Sequence, residues 1–448
     1  MSVNLRSKQH KSTVKAALEC IRLLGADRIA QTMESGYNAD PESHLFGLLQ
    51  DERIPMLKLA TDLLQPGMVL AKSIIDEHGS VLLRAGVSLT PEYIANLRRR
   101  GFPSAYVCDG DTDDIVIEDI ISDEVRQKAH STLVQVVDFT KKVANEFIRL
   151  GKDGTLTGTE DAGLGDALRS SQEFEQLEQA VTSIIEELMN VETLTGVAQI
   201  RSHDDTTFSH SIEVTVTALM IGKRLYLSRR DLEWLGTGCM LHDIGKVFIK
   251  PAVLKKQSPL TPEEAARLRE HPKLGYELLR ARNPDSVMVN HVALQHHERQ
   301  DGRGYPRGLQ GTNSIRRSPA DQRNILLIAE IAAVADTYDL LSVERPGRPA
   351  LRPQQIAATM HRLAGPILNR QIVQHFLSLL PIFPVGIDIV VTTGRYKGYK
   401  GIVAQSNRRD PERPVIRLLF NPQGDRVVPI ELNLAQDHNT AVEAILHQ

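Results

Sequence analysis

The spacing of apolar positions predicts two small modules in the first part of the chain. Residues 1–53 show only scattered helical patterning, and no role can be assigned to them. Residues 54–115 contain short apolar runs separated by turns, which is typical of strands. A helix start follows at Thr90 and Pro91, with threonine as the N-cap and proline in the first turn. These patterns predict a helical N-terminal segment followed by a small α/β accessory module.

Apolar positions at helical spacing dominate the middle of the chain. Residues 116–193 are predicted to form a helical stalk or linker, and residues 194–382 a larger helical bundle. Over residues 383–448 the pattern changes to short strands with turns between them, which predicts a small β-barrel-like tail. The predicted fold class is therefore mainly α: a helical bundle with a small N-terminal α/β module and a small C-terminal β tail.

An apolar stripe marks the second helix of the predicted stalk, over residues 172–191. The side chains of this stripe recur on one helical face. Two interpretations are open, since the stripe could pack inside the domain or across a dimer. The favoured interpretation is a stalk that packs against a symmetric partner, which makes a homodimer an expectation. The stripe consists of Phe174, Leu177, Val181, Ile184, Ile185 and Leu188.

Composition and charge argue against a nucleic-acid-binding, disulfide-stabilised or membrane-spanning protein. The formal net charge of −3 is nearly neutral for 448 residues, so no nucleic-acid polymer is expected as a partner. The three cysteines are far apart and odd in number, which fits a reducing cytoplasm better than a disulfide framework. The longest apolar run, from Ile325 to Ala335, is broken by Glu330 and is too short to span a bilayer. No secretory leader is apparent, so a cytoplasmic location is expected.

A group of histidines with an adjacent aspartate carries the candidate chemistry. Asp243 directly follows His242, and a lone His271 precedes the pair His296 and His297. Imidazoles and carboxylates together form a ligand set for first-row metals, and this set favours iron or manganese. Because no cysteine belongs to the group, a closed structural zinc site is not expected. Each histidine alone could be an ordinary core or surface residue, but the clustering indicates a metal site.

Two signatures in this region resemble those of the HD-GYP family, a branch of the HD metal-dependent phosphohydrolases. The first is an HD signature and the second ends in Gly-Tyr-Pro. The resemblance implies a hydrolase that cleaves cyclic di-GMP, giving linear pGpG, GMP or both, through a hydroxide activated by two divalent transition-metal ions. The matching residues are His242-Asp243-Ile244-Gly245-Lys246, His271-Pro272, His296-His297-Glu298 and Asp301-Gly302-Arg303-Gly304-Tyr305-Pro306.

The resemblance also implies roles for individual residues. Asp243 is expected to bridge the metals, and Lys246 to contact the scissile phosphate as a catalytic group. Thr206 stands where some members carry a glutamate for a third metal, so two metals are expected. The implied metal ligands are His210, His242, Asp243, His271, His296, His297 and Asp336. The implied substrate-binding residues are Lys246, Gly302, Gly304, Tyr305, Pro306, Asp339 and Arg345. Arg299, Arg303 and Arg307 add positive charge around the same loop, which either attracts a dinucleotide or only solvates the loop.

Two other functions remain open. One is a non-catalytic cyclic di-GMP sensor that signals by contact, and the other is an HD phosphohydrolase of a different nucleotide. The Gly-Tyr-Pro loop is also a candidate docking surface for partner signalling domains. Since every implied ligand lies after Leu194, a fragment that begins there is expected to keep the activity.

Overall fold

The computed structural model describes most of the chain after residue 56. Residues 1–53, the predicted helical N-terminal segment, lie outside the described part. The described residues are 57–70, 73–75, 81–84, 86–100, 102, 104–108, 115, 120–147, 149–150, 156–157, 162–191, 206–256, 258–317, 324–343, 351, 353–407, 410 and 412–445.

The N-terminal module combines a small sheet, a hairpin and a helix. Its sheet has the antiparallel order β1-β5-β2, and β3 pairs with β4. The helix begins where the sequence predicts, because the Thr90 side chain accepts a hydrogen bond from the Tyr93 N–H. The elements are β1 Leu57–Ala60, β2 Val69–Leu70, β3 Ile74–Ile75, β4 Val81–Leu83, α1 Pro91–Arg99 and β5 Ser104–Cys108.

Helices make up most of the chain from residue 123 to residue 377. A short antiparallel pair, β6 Arg149–Leu150 and β7 Leu156–Thr157, interrupts them near the start. The helices are α2 Asp123–Phe147, α3 Ala162–Arg169, α4 Gln172–Leu188, α5 Thr206–Arg224, α6 Arg229–Leu241, α7 Pro251–Leu254, α8 Pro262–Leu268, α9 His271–Arg282, α10 Val287–Gln295, α11 Leu327–Ser342, α12 Pro353–Leu363 and α13 Arg370–Leu377, with a 3-10 helix at Ile244–Phe248.

One hydrophobic core joins the predicted stalk to the helical bundle. Val136 on α2 and Ile184 on α4 are buried in the same cluster as Val216, Leu235 and Ile331 of the later helices. The predicted division at residues 193 and 194 therefore falls inside one continuous core. A fragment beginning at residue 194 would lack α2 and α4 and expose this core. The expectation that such a fragment keeps the activity stays a prediction.

The apolar stripe on α4 is covered by the chain itself. All six of its side chains are buried within the chain, where they contribute to the same core. The favoured interpretation of this stripe as a contact with a symmetric partner is corrected, because other described helices of the same chain already cover it. Periodicity shows that a face is buried, but it does not show what buries it.

The C-terminal tail is an antiparallel sheet with the order β11-β10-β9-β8-β12. The β tail is present as predicted, but the barrel-like closure is not confirmed, since β11 and β12 do not pair within the described residues. Across the described ranges, none of the helices has the length and apolar content needed to cross a bilayer. The strands are β8 Asp388–Val391, β9 Lys400–Gln405, β10 Val415–Phe420, β11 Arg426–Asn433 and β12 Val442–Ala444.

The N-terminal module and the C-terminal sheet share a second core. Ile402 on β9 and Phe420 on β10 are buried in the same cluster as Leu70, Leu89 and Leu97 of the module. Segments from opposite ends of the described chain therefore stabilise each other. The sequence pattern predicts each module but not this pairing.

We expect Ile184→Ala to lower the free energy of unfolding by about 2–5 kcal/mol, as for other buried large-to-small changes. Ile184 is fully buried in the shared helical core. Met189→Ala is the control, since Met189 directly follows the same helix and is 51% exposed. Denaturant unfolding of both variants measures the difference. Equal, small effects would contradict the packing of α4 within the chain.

Candidate metal centre

Five helices and the turns that follow them deliver the histidines and aspartates to one place. His210 lies on α5, His242 caps the C-terminus of α6, and His271 begins α9. The pair at 296 and 297 follows α10, and Asp336 lies on α11. All of them except His297 are buried. The structure therefore brings together the ligand set implied by the sequence.

Gly245 allows the HD turn to approach α9 closely. A Cβ atom at this position would lie 2.0 Å from the carbonyl oxygen of His271 and 2.6 Å from the amide nitrogen of Gly275. Neither backbone atom can move away without shifting the helix, so glycine is required for this approach. The close packing places Asp243, two residues earlier, beside the imidazole of His271.

The two carboxylate oxygens of Asp243 face two different groups of histidines. Oδ1 is 3.2 Å from Nε2 of His271 and 3.9 Å from Nε2 of His296. Oδ2 is 3.4 Å from Nε2 of His242 and 3.9 Å from Nε2 of His210. The Asp243 carboxylate thus lies between the two groups of histidines.

The possible ligand atoms form two close sets. The first consists of atoms from His271, His296 and His297, and the second of atoms from His210, His242 and Asp243; within each set the atoms lie within 4.8 Å of one another. Asp336 adds an oxygen 3.2 Å from Nε2 of His210. Ligand atoms on one first-row ion are about 3 Å apart, given bond lengths of about 2.1 Å, so these spacings suit a bound cation.

Backbone carbonyls orient three of the imidazoles. The Nδ1 atoms of His242, His271 and His296 lie 2.6, 2.7 and 2.9 Å from the carbonyl oxygens of residues 239, 268 and 293. A carbonyl only accepts, so each Nδ1 carries the hydrogen, and in the neutral imidazole Nε2 presents a lone pair. These lone pairs face the Asp243 carboxylate, an arrangement that a cation between them would stabilise. The residues present therefore fit a metal.

Metal binding requires neutral imidazoles and charged carboxylates, and two of the histidines and both aspartates of the set are in these states. Burial and the neighbouring His271 lower the pKa of His297 to about 3. Burial and the neighbouring histidines hold the pKa of His296 well below its usual value. Burial alone would raise the pKa of Asp243, but the Lys246 ammonium and His242 keep it well below its usual range. Asp336, hydrogen-bonded to His210, likewise keeps a lowered pKa despite its burial.

Asp339 lies behind His210 and not at the surface of the site. Its Oδ2 is 2.7 Å from Nδ1 of His210, and its side chain is buried. Burial alone would lower the pKa of His210, but the bonds to Asp336 and Asp339 raise it to about 9. The contact gives Asp339 an orienting position, since a ligating histidine usually donates its second ring N–H to a carboxylate. The substrate-binding role expected from the sequence stays a prediction.

The Gly-Tyr-Pro loop covers one side of the site. The Tyr305 ring stacks on the imidazole of His297 at a centroid distance of 4.7 Å, and the Tyr305–Pro306 peptide is cis. A Cβ atom at Gly304 would lie 2.5 Å from the amide nitrogen of Arg299 and 2.6 Å from the carbonyl oxygen of His297. Glycine at this position therefore lets the loop fold directly against the histidine pair. Gly302 has φ +74°, which also favours glycine.

Of the other expected site residues, the structure describes the contacts of Lys246 but not those of Arg345 or Thr206. The Lys246 ammonium forms an ion pair with Asp243, and its side chain is 29% exposed. Its contact with a phosphate therefore stays a prediction. Arg345 and the side chain of Thr206 lie outside the described part of the chain.

Comparison with known proteins agrees with this geometry. The sequence model of the HD domain family matches residues 188–371. A cyclic di-GMP phosphodiesterase of Pseudomonas aeruginosa is 27% identical over 269 residues, which cover 60% of this chain and 60% of that protein. The matched range contains both of the signatures that resemble those of the HD-GYP family.

Two other relatives match shorter parts of the chain. The cyclic di-GMP phosphodiesterase response regulator of Xanthomonas campestris is 30% identical over 227 residues, covering 48% of this chain and 57% of that protein. The 3′3′-cGAMP-specific phosphodiesterase 3 of Vibrio cholerae is 34% identical over 154 residues, covering 34% of this chain and 31% of that protein. The chain thus spans about 60% or less of the length of these relatives.

Glu298 and Arg299, next to the histidine pair, have structural roles that the sequence pattern does not reveal. The Glu298 carboxylate accepts hydrogen bonds from the amide groups of Arg307 and Leu309, at 2.8 and 2.7 Å. Arg299 is buried and pairs with Asp301 at 2.5 Å, so its charge is compensated inside the loop. Arg299 was expected to add positive charge around the loop, to attract a dinucleotide or to solvate the loop, and its burial in an ion pair fits neither role.

A buried glutamate, Glu330, holds the segment that follows the Gly-Tyr-Pro loop. The Glu330 carboxylate on α11 accepts hydrogen bonds from Gln300 and Asn369, both at 2.8 Å, and pairs with Arg317. The side-chain oxygen of Gln300 in turn accepts a hydrogen bond from the backbone N–H of Asn313 at 2.8 Å. The sequence holds a signal for this network, because Glu330 interrupts an otherwise apolar run. That interruption predicts a buried polar contact but not its partners.

We expect Asp339→Ala to lower the metal affinity of the HD-GYP domain about 10- to 100-fold, because His210 loses the carboxylate that orients it. Asp285→Ala is the control, since Asp285 is exposed in the turn between α9 and α10. Titration against a competing chelator measures both affinities. Unchanged metal affinity together with weaker substrate binding would restore the role expected from the sequence.

Proposed function

We propose that this HD-GYP domain is a metal-dependent phosphodiesterase that hydrolyses cyclic di-GMP, giving linear pGpG, GMP or both. The position of Asp243 between two groups of histidines is the observation that carries the proposal. This arrangement supports a bridging role for the carboxylate in a two-metal centre. The relatives from Pseudomonas aeruginosa and Xanthomonas campestris, both named as cyclic di-GMP phosphodiesterases, support the substrate.

The proposed cofactor is a pair of divalent transition-metal ions, with iron or manganese favoured by the donor set. When bound, such ions supply a water of lowered pKa and compensate charge on the phosphoryl oxygens. His271, His296 and His297 would hold one ion, and His210, His242 and Asp336 the other, with Asp243 shared. The absence of cysteine from both sets supports a catalytic site over a closed structural one.

Residues of the chain bind and orient the substrate in this proposal. The partly exposed Lys246 ammonium exchanges its contact with Asp243 for the scissile phosphate and stabilises the charge that develops there. Tyr305 and Pro306 form the edge of the site, next to His297. The exposed Pro306 and Arg307 also support docking of a partner signalling domain at this loop. The scarcity of cysteine supports a cytoplasmic location.

A second substrate is favoured by one comparison. The Vibrio cholerae relative is named as specific for 3′3′-cGAMP, and it matches 154 residues of this chain. The two substrates share the phosphodiester ring and differ in one base. The metal site would therefore treat them alike, and groups that contact the base would discriminate between them. Turnover of both substrates, measured side by side, decides which is preferred.

We expect Asp243→Ala to lose both metal and turnover, because it removes the carboxylate shared by the two groups. Lys246→Ala should keep its metal and slow turnover about 10²- to 10³-fold, in line with the loss of a single charge-stabilising donor. Lys250→Ala is the control, since Lys250 is exposed after the 3-10 helix. Product analysis with metal-loaded protein and elemental analysis of each variant provide both measurements.

Three results would contradict parts of this account. Loss of metal from the Lys246 variant would show that the lysine supports the site and not the substrate. Wild-type protein with a full metal complement should be tested in both reduced and oxidised form. If it binds cyclic di-GMP in both forms but cleaves it in neither, a sensor is favoured. Faster cleavage of an unrelated nucleotide would favour a general HD phosphohydrolase.

We expect two metal ions per chain, because the sequence carries threonine at position 206, where a third-metal glutamate would stand. Elemental analysis of anaerobically prepared protein measures the ratio. Three equivalents would contradict the two-metal proposal, and a value near zero after reconstitution would contradict the site itself.

A further inference from the structure

Arg269 lies at the edge of the metal centre, outside the set of residues assigned so far. It caps the C-terminus of α8, two residues before His271. Its guanidinium carbon is 5.7 Å from the centroid of the Tyr305 ring. The same ring stacks on His297. One aromatic side chain therefore connects this arginine to a candidate metal ligand.

The charge of Arg269 is not compensated within the described part of the chain. Other arginines of the helical region pair with carboxylates: Arg126 with Glu213, Arg282 with Glu178, Arg299 with Asp301 and Arg317 with Glu330. Arg269 forms no such ion pair among the described residues, and its side chain is exposed. The ring contact leaves its N–H donors available to an anion at the edge of the site.

The electrostatic surroundings of Tyr305 agree with this placement. Burial and the Asp336 carboxylate raise the pKa of the Tyr305 hydroxyl, whereas the Arg269 guanidinium opposes the rise. The phenol thus lies between the carboxylates of the centre and a positive charge at its edge. A substrate anion that extends out of the metal site past Tyr305 would meet this charge next.

The chemistry of the proposed substrate supplies such an anion. A cyclic dinucleotide has two phosphodiester groups in one ring, and only one of them can occupy the position beside Asp243 and Lys246. The other phosphate remains charged and has to be accommodated away from the metals. A guanidinium matches a phosphate with two parallel N–H donors and can keep its contact with an aromatic ring.

We propose that Arg269, in contact with the ring of Tyr305 at the edge of the site, binds the phosphate that is not being cleaved. This inference rests on the proposed function, since it assumes a substrate with two phosphodiester groups. It makes Arg269 a determinant of specificity: a cyclic dinucleotide uses the contact, and a phosphodiester with one phosphate does not.

The test compares Arg269→Ala with wild type on two substrates, cyclic di-GMP and bis(p-nitrophenyl) phosphate. We expect the KM for cyclic di-GMP to rise about 10- to 100-fold, as for loss of a charged hydrogen bond. The kcat, the metal content and the KM for the small diester should stay within about twofold. Arg269→Lys should fall between wild type and Arg269→Ala, because lysine keeps the charge but loses the paired donors.

Arg280→Ala is the matched control. Arg280 is an exposed arginine on α9, nine residues after His271 and so about 14 Å further along the helix. The Arg280→Ala substitution removes the same positive charge from the surface, but far from the candidate metal centre. An equal rise of KM in this variant would show a general effect of charge and overturn the proposal.

Other outcomes separate this inference from the proposed function. An unchanged KM for cyclic di-GMP in Arg269→Ala, or the same rise for both substrates, would overturn the role of Arg269. Loss of metal would show that Arg269 only supports His271. If wild type binds cyclic di-GMP without cleaving it, the proposed function fails. The Kd values of Arg269→Ala and Arg280→Ala for cyclic di-GMP then decide the role of Arg269. If wild type neither binds nor cleaves it, both proposals fail.

Discussion

The buried carboxylate of Asp243 is the group on which the rest of the site depends. Its two oxygens face histidines from four different helices or their ends. In their neutral form, three of these histidines, His242, His271 and His296, direct lone pairs at it. Buried lone pairs and a buried negative charge repel one another unless a cation lies between them. The helical core therefore holds the ligands in an arrangement that is complementary to metal ions, and metal binding is expected to stabilise the fold.

Groups behind the ligands fix this arrangement. Backbone carbonyls determine the tautomers of three histidines, Asp339 orients His210, and the contact at Gly245 sets the distance between the HD turn and α9. On the open side, Glu298 and the buried Glu330 hold the Gly-Tyr-Pro loop and its continuation. The site is thus built from precise backbone contacts as much as from the ligands themselves.

The sequence predicts those features that depend on local spacing. The helix start at Thr90, the helical middle of the chain and the order of the candidate ligands follow from capping patterns, periodicity and signatures. Contacts between distant segments do not follow, because periodicity reveals a buried face without its partner. The α4 stripe, the contacts that hold the buried Glu330 and the core shared by both ends of the described chain are of this kind.

The central claim is that the Asp243 carboxylate joins two metal ions. Electron paramagnetic resonance of the protein loaded with two equivalents of Mn²⁺ tests it most directly, because ions bridged by one carboxylate are close enough for their spins to couple. We expect the spectrum of a coupled manganese pair, which is lost in Asp243→Ala. A six-line spectrum of isolated Mn²⁺ at full occupancy of wild type would contradict it.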